Sequence, residues 1–389
     1  MLKEAREIQA QLIQWRRAIH RQPELGFAVQ RTAELVAAVL SDLGLEVHKD
    51  VGKTGVVGYL GKGDGPVLAL RADMDALPIQ EENDVEYASL VAGRMHACGH
   101  DAHTAMLLGA AALLSRQQLP GQVRFLFQPA EEATDAEGVS GASRMIADGV
   151  LEGVDAVIAL HVDAALETGH MSVGDGWVGA AVDTFRAHII GQGGHGAYPH
   201  QTIDPIWLTS HVLSALYALP SRRIAPLEAC VVSVGIIRGG SVDNVIPNSV
   251  YVEGTLRSFG DEVRAQLARE VEGVMQITRA LGGDYQLQIE PGYPATYNDP
   301  RLAAWLRQIG GDLLGQACVG VEQTTIGAED FSYMANLTQG AILHLGVRAP
   351  GTAPRHLHTS RFDLDEQALP IGAALLAEAA RRFVGGDFS

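Results

Sequence analysis

Short apolar runs alternating with amphipathic stretches constrain this chain of 389 residues more than any other feature. Runs at 55–60, 67–70, 123–127 and 156–160 have the length and apolar character of strands, the first two bounded by Gly. Before and between them, 8–21 sets Ile8, Leu12, Trp15 and Ile19 on one helical stripe. Residues 32–43 repeat that pattern and stop at Gly44, and 101–115 and 142–148 read as further helices. Strand and helix in alternation predict an α/β layer around a mostly parallel sheet. The longest apolar stretch, 105–114, falls far short of the roughly 20 residues of a membrane span, so no membrane partner is expected.

The texture changes near Gly176. Strands at 184–190, 229–237, 250–256 and 285–289 combine with helices at 205–219 and 261–281 in the order strand–helix–strand–strand–helix–strand, the ferredoxin-like split pattern. After Gly292 the first texture returns, at 300–309, 341–345 and 366–383. The expected organisation is therefore one α/β domain from residues 1–178 and 292–389, interrupted by a small insert at 179–291. Acidic residues outnumber basic ones 46 to 29, which argues against nucleic acid as a partner. Three distant cysteines make no disulfide framework, and the start of the chain shows no signal peptide, so a cytoplasmic location is expected. Cys230 and Cys318 lie in apolar runs and are expected to be buried bystanders.

Five short segments hold the chemistry. In 96–103, His96, Cys98, His100 and His103 put three imidazoles and a thiol within eight residues, the ligand types that borderline-soft divalent metals prefer. A buried cysteine flanked by surface histidines is the competing reading. An apolar run at 123–127 leads to Glu131 and Glu132, where one carboxylate can ligate a metal and its neighbour can take a proton; a solvated acidic loop is the alternative. His161 closes the run at 157–160, and His356 and His358 stand two apart near the C-terminus. Asp73 and Asp75 follow the strand at 67–70 as further ligands or as orienters of a ligating histidine. Several strand ends each delivering metal-type ligands point to a metal site at one sheet edge.

With these residues in view, the chain resembles the metal-dependent amidohydrolases of the aminoacylase and carboxypeptidase superfamily. The nearest branch holds hippurate hydrolases and plant-type indole-acetyl-amino-acid hydrolases. The resemblance rests on RRAIHRQPELGF (16–27), RADMDALPI (71–79), MHACGHDAHTAMLLGAA (95–111), FQPAEE (127–132) and ALHV (159–162). It continues through GQGGHGAYPH (191–200), DNVIPNSV (243–250), GAEDFSYM (327–334) and LHTSRFDLDE (357–366), in the family's order. It implies that Cys98, His100, Glu132, His161 and His358 ligate two divalent ions of zinc, manganese, nickel or cobalt type, and that Glu131 is the general base. His195, Asn244 and Arg257 match substrate contacts on the insert, which the resemblance makes a lid and a dimerisation domain. The implied partners are an N-acyl amino acid and a second copy of the chain, with a homodimer or a higher homo-oligomer as the result. Two places depart from the family pattern: the segment after Glu132, ATDAEGVSGA, is lengthened, and Asp163 and Ala164 replace an aromatic residue and a proline.

The expected activity is hydrolysis of the amide of an N-acyl amino acid. The rivals are a dipeptidase or carboxypeptidase with the same chemistry and a binding protein without turnover; an intact Glu131 weighs against the last. Residues 191–196 also fit G-x-G-x-x-G after a strand, but 206–227 contains no acid where a dinucleotide site needs one. Those glycines are read instead as the means of turning the backbone tightly around His195.

Overall fold

The computed structural model describes residues 1–62, 64–321 and 324–388. They form two compact units, one of residues 1–176, 297–323 and 330–389 and the other of 177–296 and 324–329. The sequence reading instead keeps 324–329 with the returning C-terminal part of the chain.

The first unit opens with helices α1 (Leu2–Glu7), α2 (Gln9–His20) and α3 (Gln30–Asp42), followed by strands β1 (Glu46–Val51), β2 (Gly55–Gly61) and β3 (Val67–Asp73). Helix α4 (His100–Leu114), β4 (Gln122–Gln128), α5 (Gly141–Ala147), β5 (Ala156–Glu167) and β6 (Met171–Ser172) come next. In the second unit the chain runs β7 (Ala181–Ile190), α6 (Pro205–Arg222), β8 (Cys230–Gly239), β9 (Ser249–Ser258), α7 (Asp261–Ala280) and β10 (Asp284–Pro291). Back in the first unit lie α8 (Pro300–Leu314), β11 (Val319–Gly320), α9 (Phe331–Ala335), β12 (Gln339–Arg348) and α10 (Leu369–Val384).

Eight strands make the sheet of the first unit in the order β1-β2-β4-β3-β5-β12-β6-β11. Its central four, β4, β3, β5 and β12, are all parallel, and β2 and β1 join antiparallel at one side. Being covered on both faces, the central strands read as unbroken apolar runs, and every residue of β3 is buried. Strand β1 escapes the sequence reading because it lies at the edge and its EVHKDV stretch is mostly exposed, so no apolar alternation marks it. Helix α4 is buried along its whole length and packs on α10, α2 and β3. Gly109 allows the close approach, since a Cβ there would lie 2.6 Å from Leu12 and 2.8 Å from the Ala373 Cβ.

The second unit is a four-stranded antiparallel sheet in the order β8-β9-β7-β10. With α6 and α7 its connectivity is the ferredoxin-like one that the alternation at 184–289 predicts. Leu208, Val212 and Leu216 of α6 and Leu267, Val271 and Met275 of α7 close over Phe185, Ala187 and Ile189 of β7 and Val250 and Val252 of β9. Asp204 caps α6 by accepting from the Ile206 and Trp207 N–H groups.

Candidate metal centre

The parallel strands deliver four stretches of chain to one end of the sheet. Beyond β4 the chain passes Pro129 and Ala130 to reach Glu131 and Glu132, and Ala130 takes a left-handed φ of 48°. Gly99 caps α4 with φ 89°, turning the loop so that Cys98 and His100 follow each other into the site. A Cβ on Gly99 would lie 2.5 Å from the Val162 side chain, so only glycine fits that turn against β5. His161 sits midway along β5; the sequence reading ends this strand before it, but pairing with β12 continues through Val162 and Asp163. His358 lies on the loop before α10, also with a left-handed φ, of 59°, and its N–H donates to the Ala97 carbonyl at 2.8 Å. Left-handed backbone on a residue other than glycine costs about 1–3 kcal/mol, and such strain gathers at functional sites.

These turns bring the side chains together. The Cys98 Sγ lies 3.5 Å from His161 Nε2 and 3.3 Å from His358 Nε2. His358 Nε2 is 3.2 Å from Glu132 Oε1. His100 Nε2 stands 3.9 Å from Glu131 Oε2 and 4.0 Å from Glu132 Oε1. Three groups result, each with donor atoms within 4.8 Å of one another: Cys98, His100 and His161; Cys98, Glu132 and His358; His100, Glu131 and Glu132. Cys98, His100 and Glu132 each belong to two of these groups, and His100 also forms a further one with Asp73 and His103.

Hydrogen bonds on the far side of each ring fix which nitrogen faces inward. His100 Nδ1–H donates to the Asp75 carbonyl at 2.8 Å, and His161 Nδ1–H donates to the Val162 carbonyl at 2.8 Å. Both Nε2 lone pairs therefore point into the site. His100 Nε2 is wholly buried and has no hydrogen-bond partner among the described residues. A buried acceptor left this way is costly unless something binds it. The Cys98 thiol, the His161 imidazole and the Asp73, Glu131 and Glu132 carboxylates grouped with His100 fit a divalent transition metal. Burial pushes the Cys98 thiol up, and hydrogen bonds to Cys98 and Glu132 raise the His358 imidazole to about 10. Burial also works against the Glu132 carboxylate, but His358 and His100 outweigh it and hold that group below its ordinary value.

Asp73 and Asp75 lie against His100, with Asp73 Oδ2 3.7 Å from its Nε2 and Asp75 Oδ1 3.4 Å from its Nδ1. The Asp75 carboxylate accepts from the Glu131 and Glu132 N–H groups, both at 3.1 Å, and so fixes the turn that presents the two glutamates. Asp73 accepts from His103 Nδ1–H at 2.6 Å, while His103 Nε2 accepts from the Val162 N–H at 3.0 Å. Both His103 nitrogens are thus used, and this imidazole supports β5 instead of facing a ligand. His96, the remaining imidazole of the segment, is buried, and burial pushes it down to about 3, so it stays neutral. Sequence reasoning missed the layer beneath, where Arg71 binds Asp73 and Asp330 and Gln128 also binds Asp330, because these partners lie up to 259 residues apart.

The other predicted residues lie on the second unit. His195 and Asn244 are exposed on a small two-stranded ribbon in which Val245 pairs with His195. The Ala197 N–H donates to His195 Nδ1, leaving Nε2–H as the outward donor. Arg257 is partly buried, its guanidinium reaches the Ile326 carbonyl, and no carboxylate among the described residues pairs with it. Cys230 and Cys318 are each partly exposed, not buried as expected, because they stand at the start of edge strand β8 and in a single 3-10 turn after α8.

Residues 69–382 match the model of the peptidase family M20/M25/M40. An Arabidopsis thaliana protein named IAA-amino acid hydrolase ILR1-like 4 is 41% identical over 380 residues, 95% of this chain and 84% of that protein. The N-acetyl-L-cysteine deacetylase of Bacillus subtilis is 39% identical over 98% of this chain and 90% of its own. A crystal structure of a dinuclear metal-binding peptidase of the M20 family from Bacillus subtilis superposes with a TM-score of 0.85 at 33% identity, over 99% of this chain and all of that one. With a family model spanning most of its length and full-length relatives near 40% identity, this chain is a metal-dependent amidohydrolase belonging to the peptidase family M20/M25/M40.

Proposed function

We propose that the protein hydrolyses the amide bond of N-acyl amino acids, releasing a carboxylic acid and a free amino acid, with two divalent metal ions in the centre. The observation that carries this reading is the convergence of Cys98, His100, Glu132, His161 and His358 with a further carboxylate, Glu131, beside them. The relatives named for IAA–amino acid conjugates and for N-acetyl-L-cysteine support the acyl-amino-acid class. Cys98, His100, Glu132, His161 and His358 would hold the ions, and the thiol and imidazole donors favour zinc, manganese, nickel or cobalt over magnesium. Divalent ions held there polarise the amide carbonyl and lower the pKa of a water to about 7.

The chain's own residues do the rest. Glu131 takes a proton from the attacking water as its oxygen bonds to the carbonyl carbon, and returns that proton to the nitrogen as the C–N bond breaks. His195, with Nε2–H outward, donates to the oxygen on which charge develops. Asn244 flanks that ribbon, its carbonyl accepting from the Gly196 N–H at 2.8 Å. Arg257, with no carboxylate partner among the described residues, takes the substrate carboxylate in a bidentate pair. The insert then acts as a lid and as a surface for a second copy. Its exposed Ile206, Trp207, Tyr217 and Ile237 support the homodimer. No helix among the described residues is long and apolar enough to cross a membrane, and the three cysteines are free, which supports a cytoplasmic enzyme.

The test is release of amino acid from hippurate, N-acetyl amino acids and indole-acetyl conjugates after chelation and after re-addition of each metal. Metal-restored cleavage of the acyl panel supports the reading. Cleavage of dipeptides alone moves the assignment to a dipeptidase, and metal binding without turnover moves it to a binding protein.

A further inference from the structure

Helix α2 supplies no donor to the centre, yet its Arg16 is completely buried and reaches both of the segments that do. Its Nε donates to Asp101 Oδ2 at 2.7 Å, one residue after His100. Its Nη1 donates to Glu366 Oε1 at 3.3 Å, and its Nη2 lies 3.6 Å from Asp363 Oδ1, both on the segment that follows His358. The Tyr87 ring covers the guanidinium at 4.7 Å, and the Tyr87 hydroxyl donates to Asp363. His20, one turn along α2, donates to the same Asp101 oxygen at 2.8 Å. Two ligand-bearing segments about 260 residues apart in sequence are therefore fastened to one planar cation. A planar fork fixes angle as well as distance, which a flexible ammonium does not.

We propose that Arg16 is a positioning residue for the metal centre: its fork sets the spacing between the Cys98–His100 turn and His358, so that an ion bound by one segment meets the donors of the other. This rests on the proposed metal reading above. It requires Arg16 to act on metal retention, beyond the general stability that any buried ion pair lends.

The experiment measures metal dissociation constants by competition with a chromophoric chelator, using the purified full chain loaded with Mn²⁺ or Zn²⁺. Variants are Arg16→Lys, Arg16→Met and Glu366→Gln, with Leu376→Ala as a core control in the same unit. Loss of a group that orients ligands typically costs about 10–100-fold in metal affinity. Arg16→Lys and Glu366→Gln are expected to fall in that range for at least one of two ions, with Arg16→Lys retaining more than Arg16→Met. Leu376→Ala is expected to lower the melting temperature and keep the wild-type constants. Wild-type constants in folded Arg16→Lys and Glu366→Gln overturn the proposal, as does an equal loss in Leu376→Ala at matched melting temperature. If Arg16→Met does not fold, the comparison of Arg16→Lys and Glu366→Gln with the control decides. A wild-type chain that takes up no metal fails the underlying reading instead, a result seen before any variant is measured.

Discussion

At the scale of single residues, Glu131 and Glu132 are neighbours in sequence with different surroundings. Glu132 Oε1 meets His358 Nε2 at 3.2 Å, whereas Glu131 Oε2 stands 3.9 Å from His100 Nε2. Glu131→Gln keeps the shape and cannot accept a proton. It is expected to bind metal as the wild type does and to turn over about 10²–10⁴-fold more slowly, measured as kcat at full metal occupancy. Cys98 is expected to behave as a ligand and not as a nucleophile, since a coordinated thiol is deprotonated and held by the metal. Iodoacetamide should label Cys98 after chelation and leave it unlabelled when metal is restored, read by peptide mass spectrometry; equal labelling in both states contradicts the assignment. The sequence named all of these residues but did not order the two glutamates by itself. That order came from the family resemblance, because the chemistry of two adjacent carboxylates is symmetric until a fold breaks the symmetry.

At the scale of elements, the centre depends on how α4 is seated. Its N-terminus presents His100 and its middle packs on α10 and α2 through Gly109. Gly109→Ala adds a Cβ that meets the Ala373 Cβ, a group that cannot swing aside. Overpacking of about 1–3 kcal/mol outweighs the helix propensity gained, so the melting temperature should fall by calorimetry. The start of α4 also sets an acid limit. Burial alone pushes the Asp101 carboxyl up, but Arg16 and His20 beside it hold it far below its usual range. A carboxylate depressed in the folded state lends stability that is fully present above the unfolded value of about 3.9 and is lost as the pH falls below it. Chemical denaturation from pH 5 to pH 2 should therefore show a loss of stability that steepens below about pH 4 in the wild type and a shallower slope in Asp101→Asn. Helix α4 was legible as a helix because its apolar run is long. Its burial on every side was not, since an all-apolar helix has no stripe to say which faces are covered.

At the scale of the whole molecule, the proposal that the insert joins two copies has a direct test. Sedimentation velocity should give a dimer, and Trp207→Glu with Ile237→Glu should give a monomer that keeps its metal. If His195 serves the neighbouring copy, mixing Glu131→Gln chains with His195→Ala chains should restore activity at one site per mixed dimer; no recovery after proven subunit exchange confines His195 to its own chain. The sequence by itself determined the α/β class, the split pattern of 184–289 and the short segments rich in metal-type side chains, because apolar period and side-chain chemistry are local properties; which of those side chains are donors came from the family resemblance. It also held the signal for Asp73 and Asp75 as orienters or ligands without choosing between them. Only the tertiary structure showed what each one holds: Asp75 the Glu131 and Glu132 N–H groups, and Asp73 the His103 Nδ1–H through one oxygen while its other oxygen lies 3.7 Å from His100 Nε2. It likewise decided that His103 is occupied on both nitrogens, that His161 lies midway along β5, and that Arg16 joins the segments of His100 and His358. The physical reason is the same in each case. A side chain's role is set by what lies across from it, and here the groups across from it come from parallel strands and distant loops whose pairing no local pattern encodes.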